Sequence, residues 1–175
     1  MNIKVYLFLM TAGFCLLSVS VTAAESEYRL GAGDEISIKV YEEEDLSMTL
    51  KLDGRGTFDY PYLGQLTAIG KTARALREEI TRGLLQDILI NPSVNVSIIN
   101  YRDFYIDGEV ERPGGYPYQP GLTIKQAITL AGGVTEWASS SKFEILREGN
   151  NESVAADKNT IVRPGDTITI LEGLF

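Results

Sequence analysis

The chain has 175 residues, 44% hydrophobic and 23% charged, with 16 Lys plus Arg against 24 Asp plus Glu and a formal net charge of -8. That is the composition of an ordinary globular chain with room for one or two small cores. It contains no His and one Cys, Cys15, which excludes His general bases, His-activated nucleophiles and His/Cys zinc sites. The acidic balance, with no Lys/Arg cluster, excludes nucleic acid as the expected partner.

The chain begins with a weakly positive Met1 to Lys4, an apolar run from Val5 to Val19, and small residues from Ser20 to Ala24. This is the layout of a secretory signal peptide over residues 1–24. The run of 15 residues falls short of the roughly 20 that a spanning helix needs. Cys15 sits inside the apolar run behind Ala12-Gly13-Phe14, and the ring of Phe14 stands where a lipoprotein signal requires a small residue. Lipid attachment is therefore not expected. From Glu25 onward there is no Cys, so no disulfide is available and stability must come from burial.

Two segments echo each other, Leu30-Gly-Ala-Gly-Asp34-Glu-Ile36-Ser-Ile38 and Val162-Arg-Pro-Gly-Asp166-Thr-Ile168-Thr-Ile170. Each reads as a Gly-Asp turn followed by a half-buried strand of period two. Asp34 and Asp166 are expected to bond local backbone amides, a structural role. Met48 to Leu52 and Thr57 to Tyr60 read as strands joined by a tight Asp53-Gly54 hairpin, and the chain then bends through Pro61 toward Gly70. Thr72 is the expected N-cap of a helix whose buried stripe is Leu76, Ile80 and Leu84, ending at Asn91-Pro92. Val94, Val96 and Ile98 alternate in a further strand. A second module then follows: strands at Phe104 to Val110 and Tyr116 to Tyr118, a short helix from Thr123 to Gly132-Gly133, a strand at Lys142 to Arg147, and the echoed strand ending at Leu171. Short strands with one helix per module argue for an α+β fold.

In this order the motifs match a known arrangement. Tyr28-x-Leu-x-x-Gly-Asp34, Asp53-Gly54, Tyr60-Pro61-x-x-Gly64, the Thr72 helix and Pro92-x-Val94-x-Val96 resemble the polysaccharide export domain, over residues 28–100. Gly108-Glu-Val110-x-x-Pro113-Gly114-x-Tyr116, the Thr123 helix, Ala131-Gly132-Gly133 and Pro164-Gly165-Asp166 resemble the soluble-ligand-binding β-grasp domain that follows it in that family, over residues 101–175. The resemblance implies a non-enzymatic component of a capsule or exopolysaccharide export channel. It further implies a periplasmic protein at the outer membrane that forms a homo-oligomeric ring, with polysaccharide and an inner-membrane copolymerase as partners and no cofactor. Full-length members carry a lipidated Cys, a further β-grasp repeat and a C-terminal amphipathic helix. None is visible here, so a short form is expected, with a separate outer-membrane protein such as a β-barrel completing the pore.

The candidate saccharide or interface contacts are Tyr60, Tyr62, Tyr105, Tyr116, Tyr118 and Trp137, aromatics that can stack on sugar rings or pack between strands and subunits. The run Glu42 to Asp45 is a concentrated acidic segment whose spacing matches no calcium loop, and a solvated loop is expected. No catalytic, cofactor or metal residue is assigned. Two alternatives remain: a monomeric periplasmic saccharide-binding or adaptor protein, and a glycosidase using two of Asp53, Asp59, Glu109 and Glu111.

Overall fold

The computed structural model describes residues 28–173; the expected signal peptide at 1–24, with Cys15, lies outside the described residues. Isoleucines alternating with polar residues after the first Gly-Asp turn form β1 (Glu35–Val40), which buries Ile36 and Ile38 completely. A 3-10 turn at Glu44–Leu46 drops Leu46 into the core and leads to β2 (Met48–Lys51). The chain continues through β3 (Thr57–Tyr60), β4 (Gly64–Thr67), α1 (Ala73–Asp87) and β5 (Val94–Asn100). The order β2-β1-β5 makes one antiparallel sheet, and β3 with β4 makes a separate two-stranded one. Helix α1 is capped by Thr72, whose side chain accepts from the Ala75 amide at 3.1 Å. Its stripe of Leu76, Ile80 and Leu84 is fully buried. Removing each such side chain from water is worth about 1.5–3 kcal/mol.

Two expectations about this module are corrected. β2 and β3 do not form a hairpin across Asp53-Gly54: β2 pairs with β1, and β3 pairs with β4. The turn signal is real, but the turn carries the chain from one sheet to the other. The segment after Tyr62, expected as a bend, supplies strand β4.

The Asp53 carboxylate Oδ1 accepts from the amides of Arg55 at 3.0 Å and Thr57 at 3.4 Å. Desolvation pulls the other way, but those amides, the Gly56 amide and the Arg55 guanidinium hold the carboxyl below the ordinary carboxylate value. A depressed folded pKa contributes stability above the unfolded pKa and loses it as pH falls through the folded one. An NMR titration of the side-chain carbonyl is expected to place the Asp53 midpoint below that of a model Asp, and Arg55→Ala to move it upward. A midpoint at or above the model value would contradict the turn geometry.

The second module contains β6 (Phe104–Gly108), β7 (Gly114–Tyr116), α2 (Ile124–Leu130), β8 (Ala138–Leu146), β9 (Val154–Ala156) and β10 (Thr167–Glu172). They form a five-stranded sheet in the order β7-β6-β10-β8-β9, with β10 parallel to β6 and antiparallel to β8. Helix α2 opens with a capping box between Thr123 and Gln126. Two separate hydrophobic cores result, one built from Leu30 to Val96 and one from Phe104 to Ile170. This is the α+β architecture of small modules expected from the element pattern.

Among the described residues, no helix is long and apolar enough to cross a membrane. No group of three or more metal-ligating side chains stands together among them.

Candidate functional site

The echoed turns share one geometry. In the first, the Gly31 amide donates to Asp34 Oδ2 at 2.7 Å and the Asp34 amide to the Gly31 carbonyl at 3.2 Å. In the second, the Arg163 amide donates to Asp166 Oδ2 at 2.6 Å and the Asp166 amide to the Arg163 carbonyl at 3.1 Å. Both carboxylates are buried, and each is met by a guanidinium from elsewhere: Arg102 for Asp34, Arg147 for Asp166. Burial pushes the Asp166 carboxyl above the ordinary range despite the Arg163 amide and the Arg147 charge.

Arg102 stands in the connection between the modules and touches both turns. Its amide and Nη1 donate to Asp34 at 2.8 and 3.0 Å, and Nη2 donates to Glu148, two residues past the end of β8. The space for its guanidinium exists because residue 31 is glycine, where a Cβ would meet Arg102 Nη1 at 2.4 Å. On the other side, a Cβ at Gly165 would meet Arg102 Nε at 3.1 Å. The cation also lies 5.5 Å from the centroid of the Tyr28 ring. Burial disfavours the charge on Arg102, but Tyr28, Glu148 and Asp34 outweigh it and raise its pKa. Tyr28 donates its hydroxyl to Asp34 at 2.7–2.8 Å, and burial together with that carboxylate raises its pKa far above the usual phenol value.

Beside this clasp the modules leave an open cleft of about 640 Å³, within the size range of small-molecule sites, which favour domain junctions. Tyr101 and Tyr118 line the cleft, edge to face at 5.4 Å between centroids, and Tyr28, outside the lining, meets Tyr101 edge to face at 5.0 Å. Burial, with the neighbouring Tyr118 and Asp34, raises the pKa of Tyr101. The polar part of the lining includes Glu35, Lys51, Asn100 and Asp103, and Asn100 Nδ2 donates to Glu35 Oε2 at 2.6 Å.

The six candidate aromatics fall in different places. Tyr105 and Tyr118 line the cleft, joined by Tyr101. Tyr116 is half-buried, stacks on Phe104 with centroids 6.0 Å apart, and donates its hydroxyl to the Arg112 carbonyl at 2.6 Å. Tyr62 is 79% exposed at the β3–β4 turn, with a positive φ of 64°, and Trp137 is 53% exposed just before β8. Neither lines the cleft. Tyr60 is a correction: it is 2% exposed, and its hydroxyl donates to the Leu46 carbonyl at 2.8 Å. The alternation with buried Phe58 turns it into the core, so it offers no surface contact. Arg102, Glu35, Lys51 and Asn100 were not among the candidates, because nothing local in the sequence marks them.

The carboxylates considered for hydrolysis do not line the cleft either. Asp53 is held by its own turn, Glu109 accepts from the Thr135 hydroxyl, and Asp59 lies exposed on β3.

Residues 22–99 match the family described as polysaccharide biosynthesis/export protein, and residues 104–155 match the SLBB domain. The chain is 32% identical over 133 residues to the exopolysaccharide production protein ExoF of Rhizobium meliloti, an alignment covering 69% of this chain and 32% of that protein. It is 27% identical over 184 residues to the EPS I polysaccharide export outer membrane protein EpsA of Ralstonia nicotianae, covering 85% and 48%. It is 25% identical over 128 residues to the capsule polysaccharide export outer membrane protein CtrA of Neisseria meningitidis serogroup A, covering 67% and 32%. The chain thus spans between a third and a half of the length of these relatives. With two domain matches in the expected order and these relatives, the chain belongs to the polysaccharide export family.

Proposed function

We propose that this protein is a non-enzymatic component of an export channel for capsular or extracellular polysaccharide. It works in the periplasm at the outer membrane, where copies assemble into a ring around the path of the polymer. An inner-membrane copolymerase delivers the polymer, and an outer-membrane protein completes the exit. The observation that carries this reading is the pair of domain matches in order, in a chain whose relatives are named as export outer membrane proteins. The Arg102 clasp supports it physically. A ring needs protomers of fixed shape, and one cation bonded to both modules holds them in one orientation.

The open cleft in a single chain favours a second reading, a monomeric saccharide-binding or adaptor protein. Two measurements separate the readings. Deleting the protein is expected to abolish secretion of one surface glycan. The protein purified from its own envelope with partners retained is expected to appear as a particle with rotational symmetry. Normal secretion of every glycan would overturn the export reading, and a monomer after mild crosslinking in the envelope would overturn the ring.

A further inference from the structure

Tyr105 on β6 pairs directly with Gly115 on β7. A Cβ at position 115 would stand 3.1 and 3.4 Å from Tyr105 Cε1 and Cδ1, so the ring lies over the glycine. One side of the ring is supported by the strand, no side chain from position 115 covers it, and the residue remains 52% exposed. A supported aromatic ring with open surface matches the apolar C–H face of a pyranose, while the sugar hydroxyls need polar partners at its rim. Those partners are present in the same cleft: Asp103, Lys51, and an Asn100 amide held by Glu35.

The charges favour a neutral ligand. Arg102 is committed to Asp34 and Glu148, and the other charged residues of the lining are Lys51, opposite Glu35 in the β1–β2 register, and Asp103, in a chain of net charge -8. The cleft lining thus sets Lys51 and Arg102 against Glu35, Asp103 and Glu148 and carries no net positive charge to hold a polyanion, whereas Arg29, Arg147 and Arg163 line the adjoining face instead.

We infer that the cleft between the modules binds a short neutral oligosaccharide segment, with Tyr105 as its stacking platform and Asp103, Asn100 and Lys51 bonding its hydroxyls. This deepens the export reading and rests on it for the identity of the polymer. The cleft is open, so a longer chain can run past the bound segment.

The test uses the full secreted chain, isotopically labelled. It is titrated with oligosaccharides cut from the polymer that the producing cells secrete, both native and carboxyl-reduced. Fragments of both kinds are expected to shift the amide signals of Tyr105, Gly115 and Asn100, with the carboxyl-reduced ones binding at least as tightly. Tyr105→Ala is expected to weaken binding by roughly tenfold, Tyr105→Phe to preserve it, and Tyr62→Ala to leave it unchanged. Binding lost on carboxyl reduction, shifts confined to other surfaces, or an unchanged affinity in Tyr105→Ala would each overturn the inference. Secretion by cells lacking the protein reports on the export reading separately. Lost secretion without cleft binding defeats only the cleft, and cleft binding with normal secretion defeats only the export reading.

Discussion

Asp34→Ala is expected to cost about 3–5 kcal/mol of folding stability, the range for removing one partner of a buried ion pair. The carboxylate is 0% exposed and accepts from the Tyr28 hydroxyl, the Gly31 amide, and the Arg102 amide and guanidinium. Its loss leaves a guanidinium only 14% exposed with Glu148 as its remaining carboxylate, and strands two backbone amides that no longer have their acceptor. Glu148→Ala removes the other end of the same pair from a side chain that is 49% exposed, so about 1 kcal/mol or less is expected there. Urea unfolding of the two variants beside the wild type checks the asymmetry. If both lose the same small amount, the clasp is a surface ion pair and does not hold the modules together.

The parts of the fold readable in the sequence are those where one element's own period reports its buried face. Ile36 and Ile38 fix β1, Ile168 and Ile170 fix β10, and Leu76, Ile80 and Leu84 fix α1, because burial of one face imposes period two on strands and 3.6 on helices. Partner choice is a different kind of information. Asp53-Gly54 marks a turn whether the next strand pairs backward or leaves for another sheet. The competition is decided by non-local contacts, such as Ile36 opposite Leu50 and the Leu52 amide on the Asp34 carbonyl. β4 and β9 are short, largely exposed strands with no alternation to read. At the site, the tyrosines were visible as residue types, but Tyr60 and Tyr105 differ only in which way their strands face. The alternation of Phe58 with Tyr60 already argued for burial of both. Arg102 carried no signal, since its carboxylate partner lies 68 residues earlier in the chain.

Gly108→Ala is expected to unfold the second module preferentially, at a cost of about 3 kcal/mol or more. Gly108 closes β6 with φ at 77°, a left-handed conformation that disfavours any side chain by roughly 1–2 kcal/mol. Steric overlap costs more. A Cβ there would lie 2.2 Å from the Ile170 carbonyl oxygen and 3.0 Å from its carbon. These are backbone atoms of β10, so no rotamer relieves the contact and the strands must separate. β10 lies between β6 and β8 at the centre of the five-stranded sheet, and the Ile170 carbonyl also accepts from the Glu109 amide at 2.9 Å. Displacing it therefore disturbs pairing on both sides. Gly54→Ala is the matched control, with nothing within 4 Å of the added carbon and a change within about 0.5 kcal/mol expected. Hydrogen exchange resolved by segment distinguishes the outcomes. Protection should fall across Phe104–Glu172 while Ile36, Ile38 and α1 stay protected, because their core is built without residues of the second module. A uniform loss over both modules would instead mean that the Arg102 clasp makes them one cooperative unit, and that the two cores do not melt separately.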